Sequence, residues 1–295
     1  MSKRQPFGPS PPRMIAARHV GALVPDPFTA EVASVHSRVV NLLLPEGFLV
    51  SLVRDPGDMT ALAIEVPRLP NSGFDSRLLS RSGALVRSRP STFGSKGELA
   101  IALGSGRTFS GGLLRGSLAD GLGETLRSAI LGLSGDDGFV SLLAEPRNQF
   151  ARRAAEVLAQ GDAELSRLLG LGIGFTPSGD DFLTGYLMAS DLWCASGSDA
   201  GVGEASAARL RQSIGDRFTE TTPGGRTLLY LALRRSYPWY LLRFWRRIRV
   251  IDGDQLYKAG VSEAVKRAAT HGETSGLDAL TGFAWFLLTR KGSVL

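Results

Sequence analysis

The residues best suited to chemistry lie in one segment, residues 170–185, which reads GLGIGFTPSGDDFLTG. Three alternating glycines end one helical pattern, a Thr-Pro-Ser turn follows, and a second apolar helical pattern begins after the serine. The start of a helix carries free backbone N–H groups and a partial positive charge, so this segment predicts a site for a small anion. It lacks the lysine of a P-loop and the preceding strand of a dinucleotide fingerprint, which disfavours Walker-type ATP and nicotinamide sites.

A second segment, residues 274–282 (TSGLDALTG), repeats the first. Counted from Ser178 and Ser275, six of eight positions agree, and each serine is followed three residues later by an aspartate. This spacing has two interpretations. The aspartates could contribute to a ligand site, or each serine and aspartate could form a capping-box-like arrangement that needs no ligand.

Both repeated segments carry a glycine inside the helix, at Gly185 and Gly282. Glycine inside a helix costs up to about 1 kcal/mol relative to alanine, so its presence indicates a close approach of backbones. We therefore predict that the two helices cross closely through these glycines. In that case both helix starts face a common region.

Five residues near the helix starts are not explained by capping. Gly172 and Gly174 exceed what one helix stop requires, Asp180 has no counterpart in the second copy, and His271 and Glu273 stand just before the second helix start. Asp180 could hold a divalent cation, accept a hydrogen bond from a substrate amide, or simply favour the helix dipole. His271 could act as a general acid or base, donate to an anion, or interact with the C-terminal dipole of the preceding helix.

These patterns define the candidate site residues. The candidate catalytic residues are Asp180, Asp181 and His271. The candidate substrate-binding residues are Gly172, Gly174, Thr176, Ser178, Gly179, Glu273, Thr274, Ser275, Gly276 and Asp278. No protein metal site is predicted, and bound Mg²⁺ remains an alternative.

Composition limits the class of protein. The single cysteine, Cys194, excludes an internal disulfide and a cysteine-rich zinc site, and only three histidines are present. No apolar run approaches the roughly 18 residues of a membrane span, and the first dozen residues lack the apolar core of a signal peptide. We expect a cytoplasmic protein that does not associate with membranes.

Positive charge is spread along the chain, with a formal net charge of +6. Nucleic-acid-binding proteins concentrate their charge on one face, so we expect no nucleic-acid partner. The exception is the segment Tyr237–Val250, which is predicted to form a basic amphipathic helix. It could be a core helix with solvated arginines or, as we prefer among functional alternatives, a protein interface anchored by tryptophan and tyrosine.

The chain is predicted to be an α+β protein, with an N-terminal antiparallel β-rich barrel or sandwich and a mostly α-helical C-terminal domain. The expected β-rich domain covers residues 20–115, and the expected helical domain covers residues 116–295 and carries the glycine-TPSGDD loop. Residues 1–19 are expected to be flexible. The predicted strand segments are Val32–Leu44, Gly47–Val53, Thr60–Val66, Gly83–Arg87 and Glu98–Leu103. The predicted helices are Leu118–Leu133, Asn148–Leu169, Asp180–Leu192, Ala205–Phe218, Arg226–Arg235, Trp239–Val250, Gln255–Ala269 and Leu277–Leu288.

The TPSGDD loop with its glycines and the later SGxDxLxG segment together resemble the AllH-like family, assigned as one subunit of oxamate carbamoyltransferase. The segments Val32–His36, Arg38–Leu42 and Gly47–Val53 look like the amino-terminal part of that family, so the resemblance covers residues 20–290. The stretch Thr219–Arg226, with the arginine- and aromatic-rich helix after it, departs from the family pattern. The substrate therefore stays open.

The resemblance implies transfer of a carbamoyl group between phosphate and an amide or amine nitrogen, with partner subunits. Such a transfer needs a phosphate anchor, donors for the carbonyl oxygen as it gains charge, and an acceptor held in line. A glycine loop at a helix start can supply the first two from backbone N–H groups. No Ser-His-Asp or Cys-His order is recognisable, which agrees with catalysis by positioning.

Three functional hypotheses follow. The chain could be an enzyme or catalytic subunit that binds an anionic small molecule at residues 172–181, which is the reading we prefer. It could be a Mg²⁺-dependent phosphoryl-transfer enzyme in which Asp180 and Asp181 carry the metal. It could also be a noncatalytic subunit that assembles with partner subunits or with copies of itself.

Overall fold

The computed structural model describes residues 13–70, 78–89, 99–133, 138–196, 202–249 and 258–290 of the 295-residue chain. Packing divides the protein into two compact units, with the division between Ser110 and Gly111. All described strands belong to the first unit and all described α-helices to the second. None of these helices is long and apolar enough to cross a membrane.

The first unit is built from one mixed sheet. Its strands are β1 (Arg13–Ala16), β2 (His19–Gly21), β3 (Phe28–Val35), β4 (Val39–Leu43), β5 (Leu49–Val53), β6 (Ala63–Glu65), β7 (Leu78–Ser82), β8 (Leu85–Arg89), β9 (Leu99–Ala102) and β10 (Arg107–Phe109). Their order in the sheet is β1-β9-β8-β7-β3-β4-β5-β6-β2-β10. Most neighbours are antiparallel, while β1 with β9, β10 with β2 and β5 with β6 run parallel.

The two ends of this strand order come from the same stretches of chain. Strands β1 and β2 follow one another directly, and they pair with β9 and β10, which also follow one another. The Ala17 N–H donates to the Ala102 carbonyl at 2.8 Å, and the Arg107 N–H donates to the Arg18 carbonyl at 2.8 Å. The sheet is therefore a single curled sheet, and the predicted α+β chain with a β-rich first part is confirmed.

The sheet begins earlier in the chain than the sequence indicates. Strand β1 lies within the segment expected to be flexible. Strand β9 pairs with it along its whole length and orders it. This segment has only one β-branched residue, Ile15, and pairing with its partner strand completes it. Residues 1–12 lie outside the described residues.

The central strands supply the apolar core of the first unit. The predicted segment Val32–Leu44 is a hairpin rather than one strand, because the chain turns where the His36 N–H donates to the Val39 carbonyl at 2.8 Å. Beyond this turn β4 and β5 are both largely buried. Their side chains Val40, Leu42, Val50 and Leu52 are fully buried.

The described residues of the second unit form eight α-helices. They are α1 (Leu122–Leu131), α2 (Gln149–Leu158), α3 (Ser178–Ala195), α4 (Val202–Asp216), α5 (Pro223–Leu233), α6 (Trp239–Ile248), α7 (Lys258–Ala269) and α8 (Ser275–Arg290). Every residue of α3 from Ser178 to Leu192 is buried, so this helix forms the centre of the unit. A helix that is buried on all sides must be apolar or hydrogen-bonded on all sides.

The predicted helix Asn148–Leu169 is wrong in its second half. Helix α2 ends at Leu158, and a 3-10 helix follows over Asp162–Leu168. Gly161 between them has a φ of +93°, a conformation that favours glycine and ends the regular helix.

Helix α6 turns its aromatic side chains inward. Tyr240, Phe244 and Trp245 are buried, and the Trp245 indole N–H donates to the Leu114 carbonyl at 2.8 Å. These tyrosine and tryptophan side chains are therefore part of the core of the second unit, and an interface through the exposed arginines stays a prediction. The exposed side of α6 carries arginines, as in a core helix with a solvated basic face.

Candidate functional site

Helices α3 and α8 pack tightly and run in the same direction. A Cβ atom on Gly185 would lie 1.7 Å from the carbonyl oxygen of Ala279, and a Cβ atom on Gly282 would lie 2.0 Å from that of Phe182. Phe182 and Ala279 occupy equivalent positions in the repeated segments, so the contact is reciprocal, as around a local two-fold axis. The predicted close crossing of these two helices through their glycines is confirmed.

The start of α8 contacts the start of α3 through Asp181. The Thr176 and Ser275 hydroxyl oxygens lie 3.0 Å apart, and both hydroxyls hydrogen-bond to the Asp181 carboxyl. Thr176 precedes α3, whereas Ser275 begins α8. Asp181 therefore joins the two helix starts.

Asp278 makes the reciprocal contacts. The hydroxyls of Ser178 and Thr274 hydrogen-bond to its carboxyl, and the Phe139 N–H donates to its Oδ1 atom at 2.6 Å. A Cβ atom on Gly138 would lie 2.4 Å from the same oxygen, so only glycine allows the chain to approach the carboxyl this closely. Asp278 is thus held by hydroxyls from both helix starts and by a loop backbone.

The capping-box arrangement does not form at the start of α3. The N-cap of this helix is Pro177, without a capping side-chain hydrogen bond, and Ser178 is the first helical residue. The Ser178 hydroxyl instead reaches across to Asp278. The serine and aspartate of one segment therefore pair with those of the other segment, which a local reading of the sequence cannot anticipate.

Burial shifts the ionisation of both carboxyls. Loss of solvation raises the pKa of Asp181 well above its usual range, and the nearby Asp278 charge raises it further. Loss of solvation raises the pKa of Asp278 to about 6, although the Phe139 N–H and two hydroxyls oppose the shift. The Oδ2 atoms of both aspartates are buried and have no hydrogen-bond partner among the described residues.

Asp180 has a different environment. Its Oδ1 atom accepts the Gly170 N–H at 2.9 Å, and its Oδ2 atom accepts the Thr221 hydroxyl. A Cβ atom on Gly225 would lie 1.9 Å from Oδ2, so the start of α5 packs directly on this carboxylate. Burial raises the pKa of Asp180 to about 6, while both hydrogen bonds lower it.

These contacts make Asp180 the anchor of the glycine loop. Both of its oxygens are occupied by donors from the protein, one from the loop and one from the segment before α5. No group of three or more His, Cys, Asp or Glu side chains suited to a metal ion occurs within the described ranges.

The glycine loop, residues 170–176, is an exposed turn with unusual backbone angles. Gly170, Gly172 and Gly174 have φ angles of +71°, +126° and +101°. A Cβ atom on Gly172 would lie 2.7 Å from the Ser178 nitrogen, whereas Gly174 has open space around it. Within the part of the chain that the structure describes, the N–H groups from Gly172 to Gly174 have no hydrogen-bond partner.

The helix start beneath the loop has fewer free donors than we expected. The Gly179 N–H donates to the Leu171 carbonyl at 2.8 Å, and those of Asp180 and Asp181 donate to the Pro177 carbonyl at 2.9 and 3.2 Å. The N–H groups of Gly179, Asp180 and Asp181 are therefore already paired, whereas those from Gly172 to Gly174 have no partner in the described part of the chain.

Two predicted binding glycines serve helix packing. A Cβ atom on Gly179 would lie 1.8 Å from the Leu168 carbonyl oxygen, and one on Gly276 would lie 2.0 Å from that of Ala268. These two glycines occupy equivalent positions in the repeated segments. Each lets the first turn of its helix approach the backbone of a preceding element.

The His271 ring stacks on that of Tyr240, with the centroids 3.9 Å apart and an angle of 14° between the planes. Burial and the charges of Asp181 and Asp278 raise the pKa of the Tyr240 phenol well above its usual range. The predicted residue Glu273 is exposed in the turn that leads to α8.

Three side chains of this region are not among the candidate residues predicted from the sequence, namely Thr221, Thr222 and Tyr240. The sequence places Tyr240 on an amphipathic helix, and no local pattern indicates its contact with His271. Thr222 was missed although Thr-Thr-Pro is a recognisable helix-start pattern: its hydroxyl caps α5 at the Gly225 N–H and donates to the Phe175 carbonyl at 2.6 Å. It therefore ties α5 to the glycine loop.

The comparisons with known proteins bear on this same region. No curated protein and no solved structure gives a significant match to the chain. The matched stretch of sequence contains the glycine loop, all of α3 and α8 as far as Leu287. Residues 168–287 match the family model described as oxamate carbamoyltransferase subunit AllH, the family that the sequence resembles.

Proposed function

We propose that this chain is a subunit of a carbamoyltransferase-like enzyme and that it binds a phosphate- or carboxylate-bearing small molecule at the glycine loop. The observation that carries the proposal is the row of unpaired N–H groups from Gly172 to Gly174, exposed beside two helix starts that point the same way. Backbone donors and helix dipoles together favour an anion. The family match supports the reaction class.

In the proposed reaction the carbamoyl carbon passes from a phosphate oxygen to an amide or amine nitrogen. The C–O bond breaks, the C–N bond forms, and the nitrogen gives up a proton. The loop N–H groups would bind the phosphate and stabilise charge on the carbonyl oxygen. His271 is the candidate that takes the proton, and Asp180 positions the loop.

Partner subunits are part of the proposal. The matched family is described as a subunit, which supports an assembly with other chains. The structure gives α6 no exposed aromatic anchor, so we assign no partner surface to it.

The first prediction tests the loop. Valine at Gly174 should weaken binding of carbamoyl phosphate, inorganic phosphate or oxamate by at least about tenfold, or about 1.4 kcal/mol. A β-branched residue cannot adopt a φ of +101° without strain, so the loop N–H groups should be reoriented. Isothermal titration calorimetry on the wild-type chain and Gly174→Val measures the effect.

Gly161→Val is the matched control. Gly161 has a φ of +93° and, like Gly174, open space around its Cβ position, but it lies between α2 and the following 3-10 helix. It should carry the same backbone strain without loss of ligand binding. Equal affinity of Gly174→Val and wild type for every anion would contradict the assignment of the site to this loop.

Thermal shift separates the proposed function from its alternatives. A ligand at 100 times its dissociation constant stabilises the native state by about 2.7 kcal/mol, which is a measurable shift. Stabilisation by carbamoyl phosphate or oxamate without Mg²⁺ supports the proposal. Stabilisation that requires Mg²⁺ favours a phosphoryl-transfer enzyme, and no stabilisation by any of these anions favours a noncatalytic subunit.

A further inference from the structure

We propose that the first unit carries a second anion site, built on the buried carboxylate of Glu65, and that it binds a small molecule with a phosphate group. The residues that form this Glu65 site are Arg18, His19, Glu65 and Arg107. They lie in the first unit, whereas the glycine loop lies in the second unit and within the matched stretch of sequence. The inference therefore goes beyond the proposed function.

Glu65 is a charged residue in a buried part of the sheet. It ends strand β6, and its side chain is 0 % exposed. It is the partner of Val53 on β5 and of His19 on β2. Cross-strand partners lie on the same face of a sheet, so the carboxyl stands between an apolar and a basic neighbour. A carboxylate without water around it needs strong hydrogen-bond donors.

Basic side chains bind both oxygens of Glu65. The Nδ1 atom of His19 lies 2.5 Å from Oε2, and Nη1 of Arg18 donates to Oε1 at 3.0 Å. A carboxylate in an ion pair only accepts hydrogen bonds, so Nδ1 of His19 carries a proton, and Nε2 lies on the side of the ring away from the carboxylate. One buried carboxylate therefore holds an imidazole and a guanidinium side by side.

Both of these side chains reach solvent. The side chain of His19 is 29 % exposed and that of Arg18 is 60 % exposed, above a carboxylate that is fully buried. Within the described ranges, Arg18 uses only Nη1 in a hydrogen bond. Its other N–H groups and the outer nitrogen of His19 are therefore available to a ligand.

The register of the sheet adds Arg107 to the site. Arg107 is the partner of His19 in the parallel pair of β10 and β2, on strands about 4.8 Å apart, so both side chains lie on one face. Arg107 is exposed, and its side chain makes no hydrogen bond or ion pair with the described residues. Strand β10 is last in the strand order, so no further described strand lies beyond Arg107.

The charges of the Glu65 site do not cancel. Two guanidinium groups and one carboxylate leave a net positive charge, and the negative charge is the buried one. The complementary ligand is an anion and not a metal ion. A phosphate group offers three strong acceptor oxygens, which suits donors from three side chains, and arginine pairs with it in a fixed geometry.

A phosphate titration followed by NMR of the imidazole nitrogens tests the proposal on the full chain. The His19 signals are assigned by their loss in His19→Asn, whose amide keeps a donor for Glu65. Inorganic phosphate should shift the His19 Nε2 signal and saturate it. Sodium chloride at the same ionic strength should leave this signal in place, because it only screens charge.

Arg107→Gln should weaken this phosphate binding by at least about tenfold, because it removes a hydrogen bond between charged groups. The side chain is exposed and unpaired in the described part of the chain, so the variant should fold as the wild type does. Arg87→Gln is the matched control. Arg87 is an exposed arginine of β8, which pairs with β7 and β9, so this variant loses the same charge and should keep the wild-type affinity.

An unshifted His19 signal, or equal affinity of Arg107→Gln and wild type for phosphate, would overturn the proposal. Equal losses in Arg107→Gln and Arg87→Gln would also overturn it, because net charge alone would then attract the anion. Tighter binding of acetate than of phosphate would contradict the ligand class. Repeating the titration on Gly174→Val separates the two proposals, because the His19 response should persist there whether or not the glycine loop binds anions.

Discussion

Gly185→Ala is expected to destabilise the second unit by about 3 kcal/mol or more, although alanine is the better helix former. The new methyl group would lie 1.7 Å from the Ala279 carbonyl oxygen, which is backbone and cannot swing aside. Helices α3 and α8 would have to separate along most of their shared length. Urea unfolding followed by circular dichroism measures the loss.

Gly215→Ala is the matched control for this substitution. Gly215 also lies inside a helix, α4, but the nearest neighbour of its Cβ position is the tip of Leu233 at 3.9 Å. The same change should therefore stabilise the chain, by up to about 1 kcal/mol. Equal effects at the two positions would show that the crossing of α3 and α8 tolerates a methyl group.

Asp191→Ala is expected to cost about 3–5 kcal/mol, because it leaves buried partners without their acceptor. Asp191 Oδ1 accepts an N–H of Arg211 at 2.6 Å, and Oδ2 accepts the Tyr237 hydroxyl at 2.5 Å. Arg211 and Asp191 are both largely buried. The change removes the link between α3, α4 and the segment before α6, and the midpoint of chemical unfolding measures it.

An exposed ion pair provides the comparison. Glu263 and Arg267 on α7 form an equally short pair, 2.7 Å between nitrogen and oxygen, but both side chains are about half exposed. Water solvates either partner when the other is removed, so Glu263→Ala should leave the unfolding midpoint within error. A loss at Glu263 as large as that at Asp191 would mean that burial does not determine the effect.

The sequence alone determined the class of fold and the location of the glycine loop. Changes in the period of apolar residues separate a β-rich part from a helical part, and glycine in a helix interior indicates a close contact wherever the helix lies. For that reason the sequence alone predicts Gly185 and Gly282 as packing positions. The turn residues from Thr176 to Ser178 likewise marked the start of α3 to within one or two residues.

Pairings between distant segments were decided only by the tertiary structure. Strand β1 has a single β-branched residue, Ile15, and pairs with β9 along its whole length. The helical pattern of α6 allows its aromatic residues to face either a partner or the core. The hydrogen bond from the Trp245 indole to the Leu114 carbonyl shows that they face the core.

The hydrogen bonds and ionisation of the aspartates also depend on the tertiary structure. A serine followed three residues later by an aspartate is a local capping pattern, and nothing in either segment reveals that Asp181 would meet Ser275 and Asp278 would meet Ser178. Hydrogen bonds to a buried carboxyl depend on which helix start lies alongside, and the parallel packing of α3 and α8 sets this. The sequence thus determined which residues could ionise, while the tertiary structure, by burying them in pairs, decided at what pH they do so.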